Sequence, residues 1–502
     1  MENEIGIFFS LIINTLEYWW VIIPATILGI IVGAIPGFSA ANTIIVLLPL
    51  TLSIGPEAGM IFMVAIYTSS RLGAGIPAVL VNIPGTAGAA ATPLDGYPMS
   101  KRGEGQKALS ISFTSSVLGG LLTTILALIL IPWLSQVAYY LHSVEMIVVM
   151  LFGISLIATI SSQDTLKGLI AGLFGLMIGY IGADVVYEIP RGTFGFLELY
   201  DKVPLVPALV GLFAISEAFV VIDRKMVTNE SLNKTKIIHS WKETIKGIKI
   251  TLVRWKHVVW TGILGLVIGV IPGAGAAIAS FVAYQQSKNF SKTPKLYGTG
   301  HPEGLIAPES SNNGVTSGTL IPLLIIGVPG GATAAIMAVV LEYHGVQFGP
   351  DIFETNPMLG YGPFVAMGIT YIILGFLIMP LTRYFSNVLL IPTKYIAPLI
   401  IVFTLVGSFV PRAYVFDIYV AIAFGIIGYI ARKTGYHVAA ILIGVILGPM
   451  LENFFLRALR ISQGDLTTLF SSSLGNTLWI LLIISLFIPS IKKYLSRKKQ
   501  DI

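Results

Sequence analysis

Long apolar segments, separated by short polar ones, are the main pattern along this chain. A helix that spans a membrane needs about 20 apolar residues, and segments of this length recur through most of the sequence. Apolar residues are continuous within them and do not alternate with polar ones, as the strands of a membrane barrel would require. The pattern therefore predicts an all-α protein that crosses a membrane many times.

One polar segment lies unusually close to an apolar run. PESSNNG, residues 308–314, is followed within a few residues by the apolar run IPLLII, residues 321–326. Polar groups at membrane depth are costly to bury and are usually functional. We therefore predict that this region binds a coupling ion through Glu309, Ser310, Asn312, Asn313 and Thr316. The alternative is a loop at the membrane edge, because residues 298–308 are themselves polar.

Composition agrees with a membrane protein. Of the 502 residues 55% are hydrophobic and 11% are charged, and the mean hydropathy is +0.84, whereas soluble proteins have about a quarter charged residues. The 52 glycines and 27 prolines suit the close contacts and interrupted helices of membrane proteins. The chain has no cysteine, which excludes disulfide and thiol chemistry. Residues 1–70 contain no Lys or Arg, so we expect no cleaved signal peptide.

The chain contains two similar halves. Residues that match at a spacing of 236 positions are Gly29 and Gly265, Gly33 and Gly269, Pro36 and Pro272, and Gly37 and Gly273. Residues that match at a spacing of 245 positions are Pro77 and Pro322, Pro84 and Pro329, and Gly85 and Gly330. The matches occur in the same order in both halves, which indicates an internal repeat. Secondary transporters often contain such repeats, with the binding site at the interface between them.

The charges of the loops indicate that the two halves are inverted. Lys101, Arg102 and Lys107 make one loop of the first half basic, whereas its counterpart in the second half carries Asp351 and Glu354. Basic loops favour the cytoplasm, so the two loops are expected on opposite sides of the membrane. The connecting segment, residues 223–256, has nine Lys and Arg and is predicted to be cytoplasmic. The N-terminus is then outside, and the basic C-terminus is cytoplasmic.

These observations predict four units. They are a first membrane repeat (residues 1–222), a basic cytoplasmic linker (223–256), a second membrane repeat (257–458), and an extra transmembrane helix with a basic cytoplasmic tail (459–502). Residues 237–256 of the linker are expected to form an amphipathic helix on the membrane surface or a solvated linker helix, and residues 5–18 occupy the equivalent place in the first half. The predicted fold is an all-α polytopic membrane protein of two inverted structural repeats with broken or re-entrant helices at the centre, plus one extra C-terminal helix.

Four Pro-Gly pairs lie inside apolar segments at repeat-related positions. Proline lacks the N–H donor, so each pair frees backbone groups that protein, water or ligand must satisfy. Small residues follow each pair, as expected if a helix restarts there with its N-terminus, which favours a carboxylate. Ordinary kinks or turns are the alternative for any single pair. We predict substrate binding by residues at and around these pairs and by Ser70 and Arg71. The full set is Pro36, Gly37, Ser39, Ser70, Arg71, Asn82, Pro84, Gly85, Thr86, Pro272, Gly273, Gly275, Pro329, Gly330, Gly331 and Thr333.

Arg71 is the first basic residue of the chain. It follows the polar segment YTSS, residues 67–70, which corresponds in the second half to the PESSNNG region. A guanidinium can bind a substrate carboxylate through two hydrogen bonds. The alternative is a structural arginine that pairs with a glutamate or extends to the membrane surface.

Four sequence runs resemble the TctA family, the large membrane subunit of tripartite tricarboxylate transporters. They are GIIVGAIPGFSAANTIIVLLP (29–49), IPAVLVNIPGTAGAAATPLDGYP (76–98), GLIAPESSNNGVTSGTLIPL (304–323) and GVPGGATAAIMAVVLEYHGVQFGP (327–350). The resemblance spans nearly the whole chain. The residues that match the motifs of the family are Gly33, Pro36, Gly37, Asn82, Pro84, Gly85, Thr86, Asp95, Pro308, Glu309, Asn312, Asn313, Pro329 and Gly330.

The resemblance implies secondary uptake of a small di- or tricarboxylate across a prokaryotic cytoplasmic (inner) membrane. It also implies a Na⁺ or H⁺ gradient as the driving force, with no other cofactor. The partners implied are a small four-helix membrane subunit (TctB-like) and an extracytoplasmic solute-binding protein (TctC-like), with no nucleic acid. The segment YTSSRL, residues 67–72, departs from the Gly/Ala-rich aromatic stretch usual in the family. This departure leaves the substrate and the coupling ion open.

Two other classes of function are disfavoured. An intramembrane enzyme needs a catalytic constellation, but the chain has no H-E-x-x-H motif, and its six histidines are scattered. A passive channel is expected to have rings of like residues along a pore, and it would carry substrate only downhill. We therefore expect a transporter and not an enzyme.

Overall fold

The computed structural model describes residues 2–35, 39–160, 165–184, 188–223, 240–271, 275–385 and 396–484. Nearly all of its regular structure is helical, which confirms the predicted all-α class. Two strands of two residues each, β1 (Gly182–Ala183) and β2 (Pro190–Arg191), form a short antiparallel pair.

The first half contains twelve α-helices within the described residues. They are α1 (Glu2–Glu17), α2 (Trp19–Gly33), α3 (Ala40–Val46), α4 (Leu48–Ser53), α5 (Pro56–Gly73), α6 (Gly75–Val81), α7 (Pro93–Met99), α8 (Gly105–Ala138), α9 (Ser143–Ile160), α10 (Thr165–Gly179), α11 (Leu205–Val210) and α12 (Ser216–Asp223). Short 3₁₀ or π segments add Ala87–Ala89, Ser100–Glu104, Leu197–Leu199 and Gly211–Ile215.

The linker and the second half contain another twelve α-helices within the described ranges. They are α13 (Trp241–Val253), α14 (Trp255–Val270), α15 (Gly275–Phe290), α16 (Pro302–Ile326), α17 (Ala332–Tyr343), α18 (Ile352–Thr355), α19 (Pro357–Gly360), α20 (Gly362–Phe385), α21 (Ile396–Phe409), α22 (Val415–Thr434), α23 (Val438–Ile461) and α24 (Ser473–Ile484). Short 3₁₀ segments add Pro294–Leu296 and Leu466–Phe470.

Several of these helices can cross a membrane. By length and composition the candidate spans are Pro56–Val81, Pro93–Ala138, Val415–Thr434 and Val438–Ile461. Two further pairs, α1 with α2 and α13 with α14, are apolar enough when each pair is taken together, and each pair is bent by 72°. These spans support a multi-pass membrane protein, as the apolar pattern predicted.

Packing between helices recurs in the two halves. A Cβ on Gly33 of α2 would overlap the Ser70 carbonyl of α5, and one on Gly269 of α14 would lie 2.8 Å from the Val315 carbonyl of α16. The two glycines are 236 positions apart, and the two carbonyls are 245 positions apart. Glycine is needed at such places because the backbones approach closely. Each half therefore contains the same close helix pair, while the inverted orientation of the halves stays a prediction.

Two ion pairs connect the halves reciprocally. Glu217 of the first half accepts from Arg432 of the second at 2.8 Å. Glu452 of the second half accepts from Arg191 of the first at 2.6 Å. The two glutamates are also matched in sequence, since each begins a Glu-x-Phe element. Each half thus supplies the arginine that neutralises the glutamate of the other.

The segments expected to lie outside the two repeats are described in part. Helix α13 is shorter than the predicted helix 237–256, and residues 224–239 lie outside the described residues. Its apolar Trp241, Ile245 and Leu252 are exposed, while Thr244 and Gly247 face the protein. Such a face favours the predicted membrane-surface helix. Helix α24 provides the expected extra C-terminal helix as far as Ile484, and the basic tail lies beyond the described residues.

Candidate functional site

A cavity of about 350 Å³ lies where the segments after the four Pro-Gly pairs come together. Each of these segments contributes to its wall, with Ser39, Thr86, Gly275 and Thr333 as examples. The sequence placed these segments far apart, from residue 39 to residue 333. Their convergence makes the cavity the candidate binding site.

The helices preceding two of the Pro-Gly pairs end in the same way. Asn82 ends α6 and Gly327 ends α16, both in the left-handed conformation, with φ of 61° and 73°. The next residue then bonds back to a proline carbonyl in each case, Ile83 N–H to Pro77 at 3.3 Å and Val328 N–H to Pro322 at 3.2 Å. Asparagine and glycine tolerate this conformation better than other residues. The predicted breaks are therefore true helix ends at these two pairs.

The helices that follow the breaks begin at the cavity. Helix α15 begins at Gly275, whose φ of +65° favours glycine, and α17 begins at Ala332. Both helices start at residues that line the cavity. The first N–H groups of a helix have no partner within it and carry a partial positive charge. These two helix ends can therefore stabilise an anion in the cavity.

The predicted substrate-binding residues divide into three groups. Those that line the cavity are Ser39, Ser70, Arg71, Thr86, Gly275, Gly331 and Thr333. Those placed elsewhere are Asn82, Pro84, Gly85, Pro329 and Gly330. Pro36, Gly37, Pro272 and Gly273 lie outside the described residues. Two glycines of the second group form backbone hydrogen bonds: Gly85 N–H donates to the Ala74 carbonyl and Gly330 N–H donates to the Thr319 carbonyl, each at 3.3 Å.

Arg71 provides the positive charge of the cavity wall. Its Nη1 donates to Asn312 Oδ1 at 2.8 Å, and its Nη2 donates to the hydroxyl of Tyr67 at 2.6 Å. Tyr67, one helical turn earlier on α5, also places its ring 4.7 Å from the guanidinium carbon. Among the described residues, no carboxylate forms a salt bridge with Arg71. The guanidinium is thus held by neutral groups and keeps its charge available.

His437 is a second titratable residue of the cavity wall. It lies in the turn between α22 and α23. Burial lowers the pKa of His437 from its ordinary value, and the nearby Arg432 lowers it further. The imidazole is therefore neutral at neutral pH, which leaves Arg71 as the charged side chain among the described lining residues.

Glu309 forms a separate buried polar site, and it is not among the residues that line the cavity. Its side chain is 0% exposed, and its two oxygens accept from Thr92 Oγ1 at 2.5 Å and Ser116 Oγ at 2.7 Å. Both hydroxyls belong to the first half, whereas Glu309 lies on α16 of the second. Within the described residues, Glu309 has no salt-bridge partner. A carboxylate in this setting needs a proton or a metal cation to balance its charge.

Space for this site depends on Gly75. A Cβ at Gly75 would lie 2.7 Å from the Ser112 hydroxyl and 3.3 Å from Glu309 Oε1. Any larger residue would therefore press on both groups. The glycine of α6 thus provides the room that the carboxylate and its hydroxyl neighbours occupy.

The other predicted ion-binding residues are all fully buried on α16, and three of them have different hydrogen-bond partners. Asn312 holds Arg71. Ser310 donates to the Ser115 carbonyl at 3.3 Å, and the amide nitrogen of Asn313 donates to the Glu309 carbonyl at 3.1 Å. Thr316 is also 0% exposed. The PESSNNG segment is therefore the interior of a buried helix. The alternative of a loop at the membrane edge is wrong.

Asp95, within the LDGYP element, is a buried anchor for the loop before α16. Its carboxylate accepts from the N–H groups of Gly298, Gly300 and His301, with shortest distances of 3.0, 2.7 and 2.7 Å. The hydroxyl of Tyr284 donates to it at 3.0 Å. Since α16 begins directly after this loop, Asp95 fixes the entry of the helix that carries Glu309 and Asn312.

Sequence reasoning missed several residues of the two sites. Tyr67, Thr319 and His437 line the cavity, and Thr92 and Ser116 hold Glu309. A signal existed for Tyr67, which lies one helical turn before Arg71. The sequence contained no such signal for Thr92 and Ser116, because isolated hydroxyl residues are common in membrane helices.

Comparison with known proteins gives consistent results. A family model described as the tripartite tricarboxylate transporter TctA family matches residues 20–443. An uncharacterized 52.8 kDa protein from the TAR-I ttuC' 3' region of Agrobacterium vitis is 31% identical over 471 residues, which are 93% of this chain and 92% of that protein. An uncharacterized protein from the TAR-II ttuC' 3' region of the same organism is 35% identical over 231 residues, or 45% of this chain and 96% of that protein. No solved structure matches.

Proposed function

The chain belongs to the tripartite tricarboxylate transporter TctA family, and on this basis we propose that it imports a small di- or tricarboxylate by secondary active transport. In this proposal the chain is the large membrane subunit and uses a Na⁺ or H⁺ gradient. It receives substrate from an extracytoplasmic binding protein and works with a small four-helix membrane subunit. The membrane is the prokaryotic inner membrane, with the N-terminus outside and the C-terminus in the cytoplasm.

The observation that carries this proposal is the free charge of Arg71 in the cavity. A charged group inside a membrane protein is costly unless it is compensated. Arg71 has two neutral partners, and no carboxylate among the described residues neutralises it. A substrate carboxylate would supply the missing negative charge, while the N-termini of α15 and α17 offer further N–H groups for a second carboxylate.

Substitution of Arg71 tests this role. Uptake by proteoliposomes would first be measured with a panel of di- and tricarboxylates. With a substrate found in this way, Arg71→Ala is expected to raise the half-saturating concentration by about tenfold to a hundredfold, since a charge-assisted hydrogen bond contributes about 1.5–3 kcal/mol. Arg71→Lys keeps the charge without the planar fork and is expected to give an intermediate value. Unchanged kinetics in Arg71→Ala, at equal protein level, would exclude contact with substrate.

Glu309 is proposed as the site of the coupling ion. Its buried carboxylate has hydroxyl partners but no cationic one within the described ranges, so a proton or Na⁺ would balance it. Asn312, one turn farther along α16, holds Arg71. The ion site and the substrate site are therefore adjacent on one helix, which offers a direct physical link between them.

Transport is proposed to follow from movement of the broken helices of one block against the remaining helices. The recurring packing of α2 on α5 and of α14 on α16 supports two related halves, and inverted repeats allow a central site to open to alternate sides. Crosslinks between engineered cysteines in the segments around the cavity test this movement. Uptake that persists in fully crosslinked protein would argue against a moving block.

A further inference from the structure

Two oxygen atoms of the kind that bind alkali cations accept hydrogen bonds from the guanidinium of Arg71. Asn312 Oδ1 lies 2.8 Å from Nη1, and the Tyr67 hydroxyl oxygen lies 2.6 Å from Nη2. The same Tyr67 oxygen is 3.1 Å from Thr319 Oγ1, which belongs to the other half of the chain. Neutral carbonyl and hydroxyl oxygens are typical ligands of hard cations.

Only one half of the chain has a charged residue at this position. The 245-position spacing that relates Pro77 to Pro322 pairs Arg71 with Thr316, and it pairs Tyr67 with Asn312. Tyr67 and Asn312 are thus repeat-related, and both bind the same guanidinium. Thr316 is fully buried and uncharged. The first half therefore carries a covalently attached cation where the second half has a hydroxyl group.

We propose that the guanidinium of Arg71 occupies a cation position of the transport core and takes the place of a mobile Na⁺ there. This inference deepens the proposed function and rests on it, because the fixed cation would pair with the substrate carboxylate. A side chain stays with the protein throughout the cycle and is not released inside the cell. The wild-type chain would then transport one Na⁺ fewer with each substrate molecule than a chain in which Na⁺ can occupy the position of the guanidinium.

Removal of the guanidinium should open this position to Na⁺. The Tyr67 hydroxyl, Asn312 Oδ1 and Thr319 Oγ1 would remain beside the cavity as ligands. Binding of radioactive sodium to the purified protein measures this directly and needs no substrate. Arg71→Ala is expected to bind about one more Na⁺ per chain than the wild type. Arg71→Lys is the matched control and is expected to bind no additional Na⁺, because the ammonium group retains the charge.

A double variant locates the additional ion. Combining Arg71→Ala with Asn312→Ala should abolish the gain, whereas combining it with Lys246→Ala, on the exposed face of α13, should preserve it. Arg71→Gln, which retains much of the side-chain volume, serves as the second variant if Arg71→Ala is not monodisperse. If neither neutral variant binds more Na⁺ than the wild type, the proposal is wrong. The uptake kinetics of Arg71→Ala still decide separately whether Arg71 contacts substrate.

Discussion

Replacing Glu309 by glutamine is the sharpest perturbation of the proposed coupling site. The amide has nearly the shape of the carboxylate but carries no charge and cannot bind a proton. Glu309 is 0% exposed and accepts hydrogen bonds at 2.5 and 2.7 Å from Thr92 and Ser116. The substitution therefore removes the charge while the local packing changes little.

The size of the effect follows from the environment of the carboxylate. Each hydrogen bond to a charged group contributes about 1.5–3 kcal/mol, so the two hydroxyls together offset roughly 3–6 kcal/mol of the burial cost. Removing an ionised group from water costs several kcal/mol per ion even after relaxation, and the idealised cost is on the order of 20 kcal/mol. In the proposal, a bound H⁺ or Na⁺ supplies what the two hydroxyls do not offset. A contribution of about 1.4 kcal/mol from the carboxylate corresponds to a tenfold change in the binding constant of the ion.

Proteoliposomes that contain either protein allow this to be measured. Glu309→Gln is expected to lower gradient-driven accumulation of substrate at least about tenfold, while exchange of external for internal substrate without a gradient continues. Glu303→Gln is the matched control, because Glu303 is also on α16 but is partly exposed and lies 3.5 Å from Arg254. Accumulation by Glu309→Gln at the level of the wild type would refute the reasoning.

Three further predictions concern other parts of the structure. Asp95→Asn should lower the free energy of unfolding in detergent by about 1.5–3 kcal/mol for each weakened charge-assisted bond to residues 298–301, and an unchanged denaturation midpoint would contradict the anchor role. Gly75→Ala should impair ion-driven uptake more than substrate exchange, because the new Cβ would lie 2.7 Å from Ser112 Oγ and 3.3 Å from Glu309 Oε1; equal losses of both would point to general misfolding. Single cysteines at Lys101 and Asp351, both exposed, should react with impermeant thiol reagents from opposite sides of the membrane, and labelling from the same side would exclude inverted halves.

The sequence was sufficient to predict four of the segments that line the cavity, namely those that follow the Pro-Gly pairs. A Pro-Gly pair in an apolar segment frees backbone groups that need other partners, and the four pairs lie at repeat-related positions. Seven predicted residues, among them Arg71 and Thr86, line the cavity. The all-α class and the membrane spans also followed from hydrophobicity alone.

The sequence could not reveal which polar groups meet in three dimensions. Glu309 and its partner Thr92 are separated by 217 positions, and Glu309 and Ser116 by 193. Hydroxyl residues of membrane helices mostly bond to their own backbone, as Ser69 does with the Ala65 carbonyl at 2.6 Å. A pattern along the chain does not distinguish these from the few that bind a distant carboxylate. Gly85 and Gly330 were also predicted to bind substrate; a Cβ on either would lie within 3 Å of neighbouring backbone, and their role in binding stays a prediction.

The reciprocal pairs Glu217–Arg432 and Glu452–Arg191 are features that a symmetric dimer of identical half-length chains could also have formed. The bond from Arg71 to Asn312 is different, because the second half carries Thr316 and not an arginine at the position that corresponds to Arg71. A dimer of identical half-length chains would carry the same residue at both positions. Joining the two halves in one polypeptide lets one half have an arginine while the other has a threonine.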